Sequence, residues 1–317
     1  MQSPLTRTVM RFFKRDKQAD RSPAPFIVGM NRSGTTLLRM MLDAHPELAI
    51  PPETHFVPDV IKACRRGDAM PEAALAAMKS HREWDDFGFS DEEMLERLRS
   101  RQRLDAGEAL RAFYEAYAER ERKPRWGEKT PRYVGQMRRI QSALPEARFI
   151  HVVRDGRDVA LSVLDRTVRD ITAADVAGRW RRKIEKARAA APKLRHYIEV
   201  RYEDLILDTE PTLRRISDFI DLPWSASMLD YYERSPERLT EMKRGLPADG
   251  RSAELDVERR MATHAMTTKP PDADRVSRWK RQMSAADREA FEGVAGATLA
   301  DLGYETATSA GTLGTSR

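Results

Sequence analysis

The stretch Ala24-Pro25-Phe26-Ile27-Val28-Gly29-Met30-Asn31-Arg32-Ser33-Gly34-Thr35-Thr36-Leu37-Leu38-Arg39-Met40-Met41-Leu42-Asp43-Ala44-His45-Pro46 changes its pattern twice. Residues 24–28 form an apolar run with proline near one end and Gly29 at the other, which predicts a short buried strand. From Thr35 to Ala44, the apolar Leu37, Leu38, Met41 and Leu42 recur at helical spacing, and His45-Pro46 closes the segment. Between strand and helix lies a turn that fits G-x-x-x-x-G followed by two threonines, Gly29 to Thr36, with Thr35 where a nucleotide phosphate loop carries lysine. Glycines let the backbone approach an anion, and the following helix points its free amides and positive dipole end at it. Arg32 and Ser33 add side-chain donors, and Thr35 and Thr36 add hydroxyls. Taken alone, the segment leaves a plain structural turn open. The missing lysine argues against a kinase or ATPase, where that ammonium bridges the phosphates being separated.

Outward from this unit the alternation repeats. Phe149-Ile150-His151-Val152-Val153 reads as a second strand, running through Arg154-Asp155-Gly156-Arg157-Asp158 into a helix with Val159, Leu161, Ser162 and Val163. Tyr197-Ile198-Glu199-Val200-Arg201-Tyr202 reads as a third, followed by a helix from about Thr209 through Ile216 and Phe219, with Pro211 in its first turn. Strands alternating with helices imply right-handed crossovers and a parallel sheet, with ligands beyond the carboxyl ends of the strands. The expected fold class is therefore α/β, a P-loop-like three-layer fold with a central parallel sheet flanked by helices, plus a helical cap. The cap is residues 56–123, charged, irregular and helical, anchored by Trp84, Phe87 and Phe89. Residues 241–283, rich in charge, Gly and Pro, read as a lid loop within a domain of residues 23–305. Ser284-Ala285-Ala286-Asp287 has capping-box spacing and opens a helix that runs to Gly303. Residues 1–22 read as a disordered basic tail and residues 306–317 as a disordered polar one.

Bulk composition narrows the partners. The chain has 317 residues, 40% of them hydrophobic and 33% charged, enough to bury a core. Its net charge of +6 rests mostly on arginine, the side chain that grips phosphate and sulfate with paired donors. So small an excess does not point to nucleic acid. The single cysteine, Cys64, forms no internal disulfide, so a reducing cytoplasmic setting is expected. The basic N-terminus lacks the apolar core of a signal peptide, and no run approaches the ~20 apolar residues of a membrane-crossing helix. A homodimer is left open.

The segment Arg32-Ser33-Gly34-Thr35-Thr36-Leu37-Leu38-Arg39-Met40-Met41-Leu42-Asp43-Ala44-His45-Pro46 closely resembles the phosphosulfate-binding stretch of sulfotransferases that use 3′-phosphoadenosine 5′-phosphosulfate (PAPS), most of all their tyrosylprotein branch. The resemblance continues through Glu53-Thr54, Arg154-Asp155-Gly156-Arg157, Tyr202-Glu203-Asp204-Leu205, and Ser277-Arg278-Trp279 with Leu302-Gly303-Tyr304. It covers roughly residues 25–305 and is poor across residues 56–123. It implies PAPS as sulfuryl donor, with no metal expected, held by Arg32, Ser33, Gly34, Thr35 and Thr36. It implies that Arg154 and Ser162 take the 3′-phosphate; they lie eight residues apart, where a strand end and the second helical turn can face one crevice. Without the resemblance, Arg154 beside Asp155 and Asp158 reads equally as a surface ion-pair network.

Arg166, Tyr202 and Arg278 fall on further cofactor positions, as does the loop from about Thr263 to Asp272. Arg278 stands where the family usually has lysine, and Tyr202 reads equally as a packing residue. Glu53 matches the family's catalytic glutamate, the base for an acceptor hydroxyl, after Ile50-Pro51-Pro52, a stiff approach expected to hold it at a strand end. The family's second acidic residue just before it is Pro52 here. A helix N-terminal carboxylate is the plain alternative for Glu53, and His55 is a rival base. Lys129, in Trp126-Gly127-Glu128-Lys129-Thr130-Pro131, matches a cation that contacts the leaving group, and with Arg32 it neutralises developing charge; otherwise it is a solvated loop lysine. The function so implied is sulfuryl transfer to an acceptor hydroxyl, borne by a tyrosyl peptide, carbohydrate, lipid or phenol. A P-loop small-molecule kinase and an inactive nucleotide-binding protein are the alternatives.

Overall fold

The computed structural model describes residues 21–65, 70–165, 171–240 and 265–306. Its strands are β1 (Ala24–Gly29), β2 (Leu48–Ala49), β3 (Arg125–Trp126), β4 (Glu128–Lys129), β5 (Ala147–Val153) and β6 (Tyr197–Arg201). The main sheet has order β4-β1-β5-β6 and is parallel throughout, as strands separated by helical crossovers require. β2 and β3 pair in parallel as a separate two-stranded sheet.

Around the strands lie α1 (Thr35–Asp43), α2 (Val57–Ala63), α3 (Pro71–Lys79), α4 (Asp91–Arg99), α5 (Ala106–Arg120), α6 (Met137–Ala143), α7 (Gly156–Leu164) and α8 (Ala173–Ala190). They are followed by α9 (Tyr202–Leu207), α10 (Thr209–Phe219), α11 (Tyr231–Thr240), α12 (Trp279–Gln282) and α13 (Ala285–Asp301). None of the described helices is long and apolar enough to cross a membrane.

Strand alternation divides the core between the two faces of the sheet. Phe26, Val28 and Phe149 belong to one cluster with Phe56, Phe87, Phe113, Tyr114 and Ile140, contributed by α2, α5, α6 and their connections. Ile27, Ile150 and Val152 point the other way, into Leu38, Met41, Leu213 and Ile216 of α1 and α10. A third cluster, with Val153, Val159, Trp180 and Phe291, seals α7, α8 and α13 beside the sheet. The stretch expected as a cap is helical, and its aromatic residues are continuous with the strand residues. Phe56 and Phe87 each lie 4.9 Å from Phe113, whose neighbour Tyr114 reaches Phe26 at 6.4 Å.

Three local readings change. Tyr202 does not end the third strand but opens α9, so its ring leaves the sheet line. The segment around Lys129, read as a loop, supplies β3 and β4, and Lys129 pairs in register with Ile27. Two-residue strands carry too little pattern to register as a period. Within residues 265–283 the chain forms two 3-10 turns and α12, while residues 241–264 of the expected lid lie outside the described residues. The helix read from Ser284 is α13, whose N-cap Ser284 Oγ accepts from Asp287 N at 3.0 Å. Both predicted tails fall almost entirely outside the description, as residues 1–20 and 307–317.

Candidate active site

β1 ends at Gly29, whose φ is 156° and where a Cβ would fall 2.7 Å from the Val152 carbonyl oxygen. The loop therefore leaves the sheet in a space that admits no side chain. Gly34 closes the loop as the N-cap of α1 with φ 93°, and a Cβ there would meet the Tyr202 ring at 2.3 Å. Two demands, left-handed backbone and a ring packed on it, select glycine. Arg32 takes φ 75° without being glycine, a strained state of the kind that tight binding turns hold. No side chain caps α1 and its first turn has no acidic residue. Its first amides therefore face the loop carrying the positive end of the helix dipole, which suits an anion. Ser33 and Thr35 are buried in the loop, and Thr36 is half-buried.

The second strand-to-helix turn meets the first. Arg32 Nε donates to Ser162 Oγ at 2.9 Å, joining the loop to α7. Arg154, at the end of β5, donates to the carbonyls of Arg32 at 3.2 Å and Arg275 at 2.7 Å and stacks 4.2 Å above the Tyr202 ring. Trp180 Nε1 holds the Arg154 carbonyl at 3.1 Å. Asp158 lies 3.6 Å from Arg154, and burial lifts its carboxyl above the ordinary aspartate value. Arg32, Gly34, Arg154, Ser162 and Tyr202 are thus brought together by direct contacts, with Ser33, Thr35 and Thr36 in the same loop. Arg278 stands at their margin, donating to Gln282 at 2.6 Å and Asp165 at 3.5 Å. Arg166 and Thr263 lie outside the described residues.

At the other end of the loop, Lys129 projects from β4 toward α1. Its Nζ donates to Glu53 Oε1 at 2.7 Å and Thr36 Oγ1 at 3.3 Å and has no exposed surface, so it is not a solvated lysine. Burial pushes the Lys129 ammonium below the ordinary lysine value, and the Glu53 carboxylate counters it. Glu53 is neither at a strand end nor at a helix start. It lies in irregular chain between β2 and α2, reached through Ile50, whose N–H donates to Asp43 Oδ1 at 2.8 Å and whose carbonyl accepts from Arg39 Nε at 2.9 Å. α1 therefore fixes both the loop and the approach to Glu53. Burial pushes the Asp43 carboxyl up, but Arg238, Lys123 and Arg39 outweigh it and hold it low.

His55 Nε2 is 3.3 Å from Glu53 Oε2. Its φ of 53° is left-handed, and its Nδ1 is buried with no partner among the described residues. Burial holds the His55 imidazole below its ordinary value against the pull of Glu53 and Glu83.

Beneath this pair lies a group that sequence reasoning missed. Glu128, fully buried, accepts from Tyr114 OH at 2.7 Å, from Thr54 Oγ1 at 3.1 Å and from Thr130 Oγ1. Desolvation pushes its carboxyl up to about 7 despite these donors. Its adjacency to Lys129 and Thr130 was visible in the sequence; the hydroxyls of Tyr114 and Thr54, brought to it from two other segments, were not.

A sequence profile described as "Sulfotransferase family" matches residues 23–226. Protein-tyrosine sulfotransferase A of Caenorhabditis elegans is 29% identical over 225 residues, covering 66% of this chain and 53% of its own length. Protein-tyrosine sulfotransferase 1 of Danio rerio is 27% identical over 294 residues, 89% of this chain and 72% of its own. The match thus spans about half the length of the first relative. Among solved structures, the "Sulfotransferase Domain from the Curacin Biosynthetic Pathway" superposes with a TM-score of 0.57 at 19% identity, covering 90% of this chain and 99% of its own, a likeness of fold. With more than half of its length matched by the profile and the phosphate-loop segment inside that match, the chain belongs to the sulfotransferase family.

Proposed function

We propose that this protein transfers the sulfuryl group of PAPS to an acceptor hydroxyl, and that the acceptor is a tyrosyl side chain in an acidic peptide. The observation that carries the reading is the convergence of two separate strand-to-helix turns at the Arg32–Ser162 hydrogen bond, with the Lys129–Glu53 pair at the opposite end of the same loop. A doubly phosphorylated adenosine needs two anion sites joined in this way, and the uncapped start of α1 with arginine in its loop fits one of them.

When bound, PAPS supplies a sulfuryl group attached to a stable phosphate leaving group. Arg32 and the α1 amides hold the 5′ end, and Arg154 and Ser162 take the 3′-phosphate. Lys129 places an ammonium, buried away from competing water, where negative charge grows on the leaving oxygen. Glu53 accepts the proton of the acceptor hydroxyl, and Lys129 and His55, one on each carboxylate oxygen, hold it in place.

The acceptor assignment is supported by the names of the relatives and by charge beside the site. Arg132 is near enough to His55 to help lower it, and Lys183 lies near both Arg132 and Lys186. Lys186 also borders a cleft of about 570 Å³ together with Arg138, Arg139 and Lys193. Carboxylates flanking a tyrosine suit such a rim.

Two measurements test the reading. Calorimetry should show tighter binding of 3′-phosphoadenosine 5′-phosphate (PAP) than of ADP, and radiolabelled PAPS should label acidic tyrosyl peptides in preference to glycans and simple phenols. Equal affinity for the two nucleotides would overturn the donor assignment, and labelling of a glycan alone would overturn the acceptor.

A further inference from the structure

Glu128 is a carboxylate placed where a stable core would carry an apolar side chain. It lies within the aromatic cluster of Phe26, Phe113 and Tyr114, and in register it pairs with Phe26. Burying a charge there costs free energy that its hydrogen bonds only partly return, and replacing such groups by apolar residues is often neutral or stabilising. Its partners give the reason for its presence. Side chains alternate along a strand, so Glu128 and its neighbour Lys129 leave β4 on opposite faces. The hydroxyls that Glu128 gathers belong to the residues flanking the candidate catalytic pair, namely Thr54 beside Glu53 and Thr130 beside Lys129. The two are also tied directly, because Thr54 N donates to Thr130 Oγ1 at 3.1 Å. Tyr133 OH accepts from Val57 N at 3.0 Å and donates to Thr54 Oγ1 at 3.0 Å, which extends the brace to the start of α2.

We propose that Glu128 is a positioning residue: from the far side of β4 its carboxylate clamps the main chain next to both Glu53 and Lys129, so the pair stands at reacting distance before substrates arrive. The assignment rests on the sulfotransferase reading for its consequence in catalysis, while the clamp itself is a matter of geometry. A second effect follows from charge. The charged groups that face Lys129 are Glu53, Arg39 and Glu128, with His55 across Glu53. Of these, Glu128 and Glu53 favour the protonated ammonium, while Arg39 opposes it.

The test uses Glu128→Gln, Thr130→Val and Thr130→Ser in the full chain. With PAPS and an acidic tyrosyl peptide, Glu128→Gln and Thr130→Val should lower kcat roughly 10–100-fold, the scale of a ~1 Å misplacement. KM for PAPS and the calorimetric affinity for PAP should stay within about threefold of wild type, and Thr130→Ser, which keeps the hydroxyl, should restore kcat. In Glu128→Gln the alkaline limb of kcat should also move to lower pH, which lost packing alone would not cause. Wild-type kcat in folded Glu128→Gln would overturn the inference and leave the sulfotransferase reading intact. If wild type neither binds PAP nor turns over, that reading fails, and crystal structures decide the clamp. Opening of the 2.7 Å Glu53–Lys129 contact in Thr130→Val, with Thr130→Ser unchanged, upholds it, and an unmoved pair in both overturns it.

Discussion

At the scale of single residues the proposed reaction turns on Lys129 and Glu53, a fully buried ammonium paired with a partly exposed carboxylate. Lys129→Ala removes the ammonium and leaves Glu53 and Arg39 to rearrange around a void. Loss of one such charge-stabilising donor should lower kcat on the order of 10²–10³-fold with PAPS, and an undiminished rate would take Lys129 out of the mechanism. The choice of base is also decidable. Glu53→Gln keeps the shape and removes basicity, and should cost on the order of 10²–10⁴-fold in kcat. His55→Asn should cost less than tenfold, since asparagine tolerates the left-handed backbone found at φ 53°. The reverse order of effects would make His55 the base. Because burial lowers the imidazole, a histidine base would place the acid limb of kcat below the ordinary imidazole value of about 6.5. Arg32, Glu53 and Lys129 could be singled out in the sequence because the resemblance runs through the contiguous stretches that carry them, and the structure brings Lys129 to Glu53 and to the loop of Arg32. Glu128 could not, since its role depends on Tyr114 and Thr54, which folding alone brings to it.

The loop from β1 to α1 is the element on which the site turns, and Gly34 is its most constrained position. Gly34→Ala meets two penalties, a φ of 93° that a Cβ disfavours and a Tyr202 ring atom 2.3 Å from where that Cβ would sit. The strain should cost at least about 1 kcal/mol of stability, and displacing Tyr202 removes the ring on which Arg154 stacks. Thermal denaturation and PAP calorimetry should both register the change. The double variant Gly34→Ala with Tyr202→Ala should regain stability in part, since it relieves the clash and keeps the backbone strain. Wild-type melting and affinity in Gly34→Ala would refute this account of the loop. β1 and β5 were readable as apolar runs that end in a turn, and α1 and α10 by apolar residues at helical spacing. β4 and the start of α9 were not, because two residues of strand have no period and Tyr202 suits strand and helix alike.

For the whole molecule, the layered α/β plan follows from alternating strands and helices, which is why it could be read before any contact was known. Residues 56–123 could be read as helical but not as separate helices joined to the core, because their apolar residues answer to the aromatic neighbours Phe26 and Phe149 rather than to one helical stripe. That shared core surrounds Glu128, and the consequence is a pH dependence of global stability. The Glu128 carboxyl is pushed up to about 7 by burial, against an ordinary 4.5. Below pH 4.5 it is neutral in both states and has no effect on the balance. As pH rises, the unfolded chain releases its proton first, so the unfolded state gains until the folded carboxyl also ionises near pH 7. A gap of that size corresponds to roughly 3 kcal/mol of stability lost between about pH 4.5 and 7. Other groups titrate over the same range, so the informative quantity is the stability of wild type minus that of Glu128→Gln, from denaturant unfolding at pH 5 and pH 8. The difference should shift against wild type by about 2.5 kcal/mol at the higher pH, whereas a difference independent of pH would mean that Glu128 titrates alike in both states and that its hydroxyl donors fully replace water.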